Sequence, residues 1–439
     1  MDHELSALIK HDNLLDCPQI DSKATLASSQ YVQPASIDVP LTAECYLVKD
    51  RVLPYGKKLR ELLPSLEIMR INLSSQENGA ILLKGQTYLA YCGRVKMPAE
   101  CRGSLSPKSS IGRVDLMVRG VFDGSGLYDS IGKGEEGELW MEISPRSFNV
   151  RVRERQALSQ MMVFVDDDEK ISGIVHSNKN DQHVVPPLLF TKDGVPIDPP
   201  LLHHDGSVIL HLGLRLGEDG ESEEIVSQES IDGLEENASQ TSTGVSATSP
   251  TRKAPTATKR LRSAEKRKRD SYVVGWEALA TSDVVDLSLP NAHPASRFFR
   301  PIMSSQCRDS GKSKITLEKD RFYILATKER ISVPTSLSAE MIPFSHHIGE
   351  LRAHYAGFFD PGFGYGKDGS IKGTVGVLEV RPHETITIFD GQPICLIEYF
   401  RNTSIPAVSY GDAGNSYQNQ KGAKLAKYFY LEDDECVGN

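Results

Sequence analysis

Residues Pro107–Arg146 read PKSSIGRVDLMVRGVFDGSGLYDSIGKGEEGELWMEISPR. Two hydroxyls, Ser109 and Ser110, precede a fixed cation, Arg113. Hydroxyls beside an arginine suit an anionic, oxygen-rich ligand such as a nucleotide phosphate. The stretch closes on one acid, Glu142, within the apolar run Leu139, Trp140, Met141 and Ile143. A strand alternates its faces, so Glu142 shares a face with Trp140 and opposes Met141 and Ile143. An acid among apolar neighbours has a raised pKa, which suits proton transfer near neutrality. The same residues also read as a Ser-rich turn, a surface arginine and an edge-strand glutamate, and alone they favour that plainer account.

Working outward, His346–Glu379 repeats the frame: HHIGELRAHYAGFFDPGFGYGKDGSIKGTVGVLE. Ile111-Gly112-Arg113 aligns with Ile348-Gly349-Glu350, Asp123 with Asp360, and Glu142 with Glu379. Upstream, Tyr88-Leu89-Ala90 through Pro98 matches Tyr323-Ile324-Leu325 through Pro334. A repeat this long means two copies of one domain, not a solenoid. Ser109, Ser110 and Arg113 become His346, His347 and Glu350, so the second copy cannot hold a phosphate in the same way.

A chain of 439 residues with 39% hydrophobic and 25% charged residues has room for two or three cores. Its net charge of −9 gives no global attraction to nucleic acid or anionic membranes. Cysteines 17, 45, 92, 101, 307, 395 and 436 are scattered, and no Cys-x-x-Cys occurs. Neither a disulfide framework nor a zinc site is indicated, and a reducing compartment is expected. No apolar signal core or bilayer-length segment occurs, so the expected location is cytoplasmic, without a membrane partner.

In order, residues 1–30 read as a polar lead-in with one short helix around Glu4–Lys10. Residues 31–216 read as the first domain. Ala80–Leu83, Thr87–Cys92, Val114–Val118 and Leu139–Ile143 are its predicted strands. Lys57–Leu63 reads as a helix ended by Pro64. Residues 183–216 read as an extra hairpin of this domain. Residues 217–270 are polar, first acidic and then basic, a composition that predicts disorder. The basic clusters between Arg252 and Arg269 fit either a bipartite nuclear-import signal, with an import receptor as partner, or a charged linker. Residues 271–430 read as the second domain, ending in a Tyr-, Gln- and Lys-bearing tail suited to closing over a polar ligand. Strands far outnumber helices, so both domains are expected to be mainly β, as sandwich, barrel or jelly roll.

These residues resemble the dCTP deaminase branch of the dUTPase-like superfamily. The resemblance is carried by QPASIDV (33–39), PKSSIGRVDL, GELWMEI, HYAGFFDPGF and YGDAGNSYQNQKGAK (410–424). Two copies, with the Ser/Arg motif in the first and the lid in the second, are similar to the family's long duplicated form. The resemblance implies two tandem distorted jelly rolls (a β-clip fold), a trimeric ring with sites between subunits, and hydrolysis of dCTP to dUTP and ammonia. It implies no protein-bound cofactor, with Mg²⁺ accompanying the triphosphate and dUTP or dTTP as product or inhibitor. Glu142 would be the general base, with Ser109 and Arg113 beside it. Lys108, Ser110, Ile111, Gly112, Asp123, Asp129, Trp140 and Met141 would contact substrate. Tyr410, Tyr417, Gln420 and Lys424 would form the lid. Lys108 stands where many relatives have arginine, and Ser416 where they have a lid lysine. The first copy also lacks the Asp-Pro-Gly hairpin, and Asp360 reads as a structural turn. A zinc deaminase would need His-x-Glu and Pro-Cys-x-x-Cys, which are absent. The alternatives are a dUTP pyrophosphatase or bifunctional enzyme, and a non-catalytic nucleotide-binding regulator.

Overall fold

Period-2 alternation is realised as two sets of antiparallel sheets built on one plan. The computed structural model describes residues 2–11, 14–17, 31–74, 79–165, 186–214, 272–304, 308–309, 312–343, 351–353, 357–412 and 417–432. Residues 217–270, Ser416, and His346, His347 and Glu350 lie outside the described residues. By its contacts the chain divides into a unit of residues 1–216 with 272–439, which carries both sets of sheets, and a unit of 217–271.

In the first copy, one sheet runs in the order Glu67–Asn72, Glu44–Val48, Thr87–Lys96, Glu136–Pro145, Leu116–Phe122. The opposing sheet runs Ile37–Pro40, Ala157–Phe164, Arg102–Pro107, Ser130–Ile131. The second copy repeats both paths. Phe299–Met303, Val273–Ala278, Tyr323–Ile331, Thr374–Pro382 and Leu351–Ala353 form one sheet. Val208–His211, Pro393–Arg401, Leu337–Pro343 and Phe358–Phe359 form the other. Each copy is a distorted jelly roll, and the repeat seen in sequence is a repeat of strand order.

Strand ends shift by a few residues, Val114–Val118 being realised as Leu116–Phe122, and three larger differences from expectation stand out. Residues 186–214 belong to the second copy, not the first: Val208–His211 pairs with Pro393–Arg401, and Leu189–Phe190 with Tyr323–Ile331. The run Leu188, Leu210, Leu212 and Leu214 fills the second copy's core, so Val208–His211 does there what Ile37–Pro40 does in the first. The lead-in is not peripheral. Helix Asp2–His11 buries Leu5 and Ile9, and Leu15–Asp16 pairs with Thr87–Lys96. The third difference is the helix Leu59–Leu66, which contains Pro64 instead of stopping before it. Burial of Leu59, Leu63 and Leu66 outweighs the one backbone bond that proline removes.

The copies meet through an apolar seam. Val375 and Val377 of the Thr374–Pro382 strand, with Trp276 and Ile324, join Ile111, Val114 and Phe148 of the first copy in one cluster. The equivalent outer face of the first copy, Tyr46, Leu89 and Trp140, is covered by its own helix Leu59–Leu66.

Candidate active site

Ser109–Gly112 forms one helical turn, the Lys108 carbonyl accepting from the Ile111 and Gly112 amides at 2.7 and 3.1 Å. The turn delivers Arg113, 4% exposed, to the seam. Its guanidinium stacks on Tyr417 at 3.8 Å from the ring centre, and Nη1 donates to Gln420 Oε1 at 3.2 Å and the Lys424 carbonyl at 2.8 Å. Its Nε faces Oε1 of Glu379 at 3.7 Å and makes no hydrogen bond among the described residues. Glu379 is buried, and burial pushes its carboxyl up to about 8 against the pull of Arg113. An acid titrating there can both accept and return a proton near neutrality.

Around this pair lies a partly open cleft with about 570 Å³ of space, open solvent included. The first copy contributes Lys108, Ser109 and Arg113; the second contributes Asp360, Val377, Glu379, Tyr410, Tyr417 and Gln420. Lys108 is ion-paired with the buried Asp38, which burial pushes up and Lys108 pulls down. Asp360 is more than a turn residue. It lines the cleft, its Oδ1 has no hydrogen-bond partner among the described residues, and burial followed by neighbouring Asp38 pushes it up to about 7. Gly362 follows at φ 98°, and a Cβ there would meet Ser409 Cβ and the Tyr410 amide at 3.0 Å. The Tyr410 amide donates to the Pro361 carbonyl at 2.8 Å, so the Asp-Pro-Gly hairpin seats the lid's root.

Residues 5–167 match the family model described as the 2'-deoxycytidine 5'-triphosphate deaminase N-terminal domain, and residues 251–429 match that of the C-terminal domain. The chain belongs to the dCTP deaminase family. It is 26% identical to the 2'-deoxycytidine 5'-triphosphate deaminase of Agrobacterium tumefaciens, whose crystal structure it resembles with a TM-score of 0.64 over 92% of this chain and 98% of that one. No curated protein sequence matches it.

Within this dCTP deaminase fold the expected site residues separate into two groups. Lys108, Ser109, Arg113, Tyr410, Tyr417 and Gln420 converge on the cleft. Lys424 joins through its carbonyl, and Ser110 lies 3.4 Å from the Tyr428 hydroxyl beneath the turn. Glu142 is not brought to them. It lies under the first copy's own covering segment, accepting from the Tyr128 hydroxyl at 3.0 Å and facing Arg51 at 3.6 Å. Burial raises its carboxyl as the sequence suggested, with Arg51 opposing.

The remaining expected substrate contacts have structural roles. Trp140 packs under the helix Leu59–Leu66, with Arg60 5.0 Å above its ring, and Met141 and Ile111 are core residues. Gly112 is buried within the Ser109–Gly112 turn. Asp123 accepts from the Leu59 amide at 2.8 Å, holding that helix's start, and from the Glu138 amide at 3.1 Å. Asp129 pairs with Arg119 and accepts from the Gly120 amide. Sequence reasoning passed over Glu379, Asp360 and Asp38 as site residues. The internal alignment of Glu142 with Glu379 and the Asp-Pro-Gly motif were the signals that pointed to the first two.

Among the described residues, no cluster of three or more His, Cys, Asp or Glu side chains has metal-holding geometry. No described helix is long and apolar enough to cross a membrane.

Proposed function

We propose that this chain converts dCTP and water to dUTP and ammonia, with Glu379 as the residue that moves the proton. The observation carrying this reading is the meeting of Arg113 and Glu379, from different copies, in a lid-covered cleft. In this scheme the Glu379 carboxylate takes a proton from water attacking cytosine C4 and returns it to the departing ammonia. Ser109 and Arg113 hold the reacting water and base, while Lys108 meets the phosphates. Tyr410, Tyr417 and Gln420 close over the triphosphate, which carries its own Mg²⁺. The proton chemistry rests on a carboxylate, in keeping with the absence of a zinc-deaminase signature from the sequence. The contact placed between subunits by the expected ring occurs here within one chain, so this cleft needs no second chain to bring Arg113 to Glu379.

A second reading rests on Asp360, whose carboxyl lines the same cleft with one oxygen unpartnered among the described residues. That placement would let it direct water at a phosphate, giving pyrophosphate and dUMP. Chromatography of products from dCTP and from dUTP tests both. Ammonia and dUTP from dCTP support deamination, pyrophosphate from dUTP supports the bifunctional reading, and binding without turnover overturns both.

A further inference from the structure

The strand Thr374–Pro382 sends Val375, Val377, Glu379 and Arg381 out of one face, toward the first copy. Two residues beyond each member of the Arg113–Glu379 pair stands a second ion pair with its charges reversed. Arg381 Nη2 donates to Asp115 Oδ2 and, at 3.0 Å, to Ser147 Oγ. Ser147 Oγ donates to Asp115 Oδ2 at 2.6 Å, and Arg381 Nη1 donates to the Asp320 carbonyl. The Asp115 and Arg381 side chains are 1% and 10% exposed. Asp115 sits at φ 54°, a left-handed conformation that aspartate tolerates, and this turns its carboxylate to the seam just after Arg113.

The two pairs are built differently. The inner one is loose, at 3.7 Å, with no hydrogen bond between its members; the outer one is buried and hydrogen-bonded on several sides. A buried ion pair adds little net stability but is costly to break from one side, so its clearest effect is to select one arrangement. The alternating signs make that selection sharp. A slip of two residues along the strand would set Arg113 against Arg381, or Asp115 against Glu379.

We propose that Asp115 and Arg381 are positioning residues for the deamination: their buried pair fixes the register of the seam and so the spacing of Arg113 and Glu379. This rests on Glu379 being the residue that moves the proton. The pair touches neither the base nor the phosphates in that scheme, so it acts through Arg113 and Glu379.

The test uses the full chain with Asp115→Asn, Arg381→Gln and the double variant, assayed below their melting temperatures with the folded fraction measured. Each single variant is expected to lower kcat at least about tenfold while KM for dCTP stays within about threefold. The double variant is expected to be no slower than the slower single, because both remove one register lock. Arg381→Lys keeps the charge without the two-pronged donor and serves where Arg381→Gln does not fold, with an intermediate kcat expected. Wild-type kcat in folded Asp115→Asn overturns the proposal, as does a loss that only tracks the folded fraction or multiplies in the double variant. Carboxylate NMR of Glu379, assigned against Glu379→Gln, reads the register without turnover. Its titration midpoint is expected to move by at least about half a unit in Asp115→Asn, since the distance to Arg113 sets part of it. If the wild type does not deaminate dCTP, the functional reading fails, and this midpoint alone decides the register proposal, an unmoved one overturning it.

Discussion

Arg51 Nε stands 3.6 Å from Oε1 of Glu142, nearly the 3.7 Å that separates Arg113 from Glu379 on the equivalent strand of the second copy. Both strand glutamates meet an arginine, but from different sources. Arg113 comes from the other copy and opens onto a cleft. Arg51 comes from the segment leading into the helix Leu59–Leu66, and the Tyr128 hydroxyl and the Val52 amide add hydrogen bonds to Glu142. One copy's glutamate lines the cleft; the other's is capped by its own chain.

Glu379→Gln is therefore expected to lower dCTP turnover about 10²–10⁴-fold with binding retained, because the amide keeps size and loses the proton acceptor. Glu142→Gln is expected to stay within about threefold of wild type. Steady-state kinetics on both variants checks this. A loss on Glu142→Gln as deep as that on Glu379→Gln, in folded protein, would return the first copy to the mechanism.

The pH dependence follows from the Glu379 carboxyl, which titrates at about 8 when folded against an ordinary 4.5. Between those values the folded chain holds a proton that the unfolded chain lacks. This contribution to stability is fully present below the unfolded value and is lost as pH rises through the folded one. Glu379→Gln removes it, so the melting temperature of the variant relative to wild type is expected to climb between pH 4.5 and about pH 8, the unfolded and folded values, and to level off above that. Wild-type kcat/KM is expected to rise with pH through a midpoint well above the usual carboxylate range. A melting difference that shrinks with pH, or a rate midpoint near 4.5, would contradict the assignment.

Leu59, the first residue of the helix that covers the Glu142 face, is fully buried on its inner side. Leu59→Ala is expected to cost about 2–5 kcal/mol of stability by leaving a cavity. Turnover per folded molecule should be unchanged, because neither this helix nor Trp140 and Glu142 beneath it line the cleft. Chemical denaturation with parallel assays measures both, and a matching fall in turnover of folded protein would show that the covered face communicates with the site.

Gly362→Ala places a Cβ 3.0 Å from Ser409 Cβ and the Tyr410 amide at a backbone φ of 98°. It is expected to cost about 1–2 kcal/mol and to raise KM for dCTP, because Tyr410 forms part of the cleft wall. Thermal melting and KM unchanged together would mean the lid root has slack that the contacts do not suggest.

Much of this protein was legible in the chain itself. The side-chain period placed Trp140 and Glu142 on one face and Met141 on the other, and the clusters separate Trp140 from Met141 that way. The repeated frame announced two copies, and Lys108, Ser109, Arg113 and the lid tyrosines were marked by residue type and motif. Periodicity reports which face a residue is on, not what covers that face. Only the tertiary structure decided that Glu379, not Glu142, meets Arg113, because the first copy's face is taken by Leu59, Leu63 and Leu66 while the second's packs across the seam. It also decided that Val208–His211 completes the second copy, since an edge strand is assigned by its hydrogen-bond partner and not by its neighbours in sequence. The chain's local pattern set the elements; long-range packing between two near-equivalent copies chose which halves would make a site.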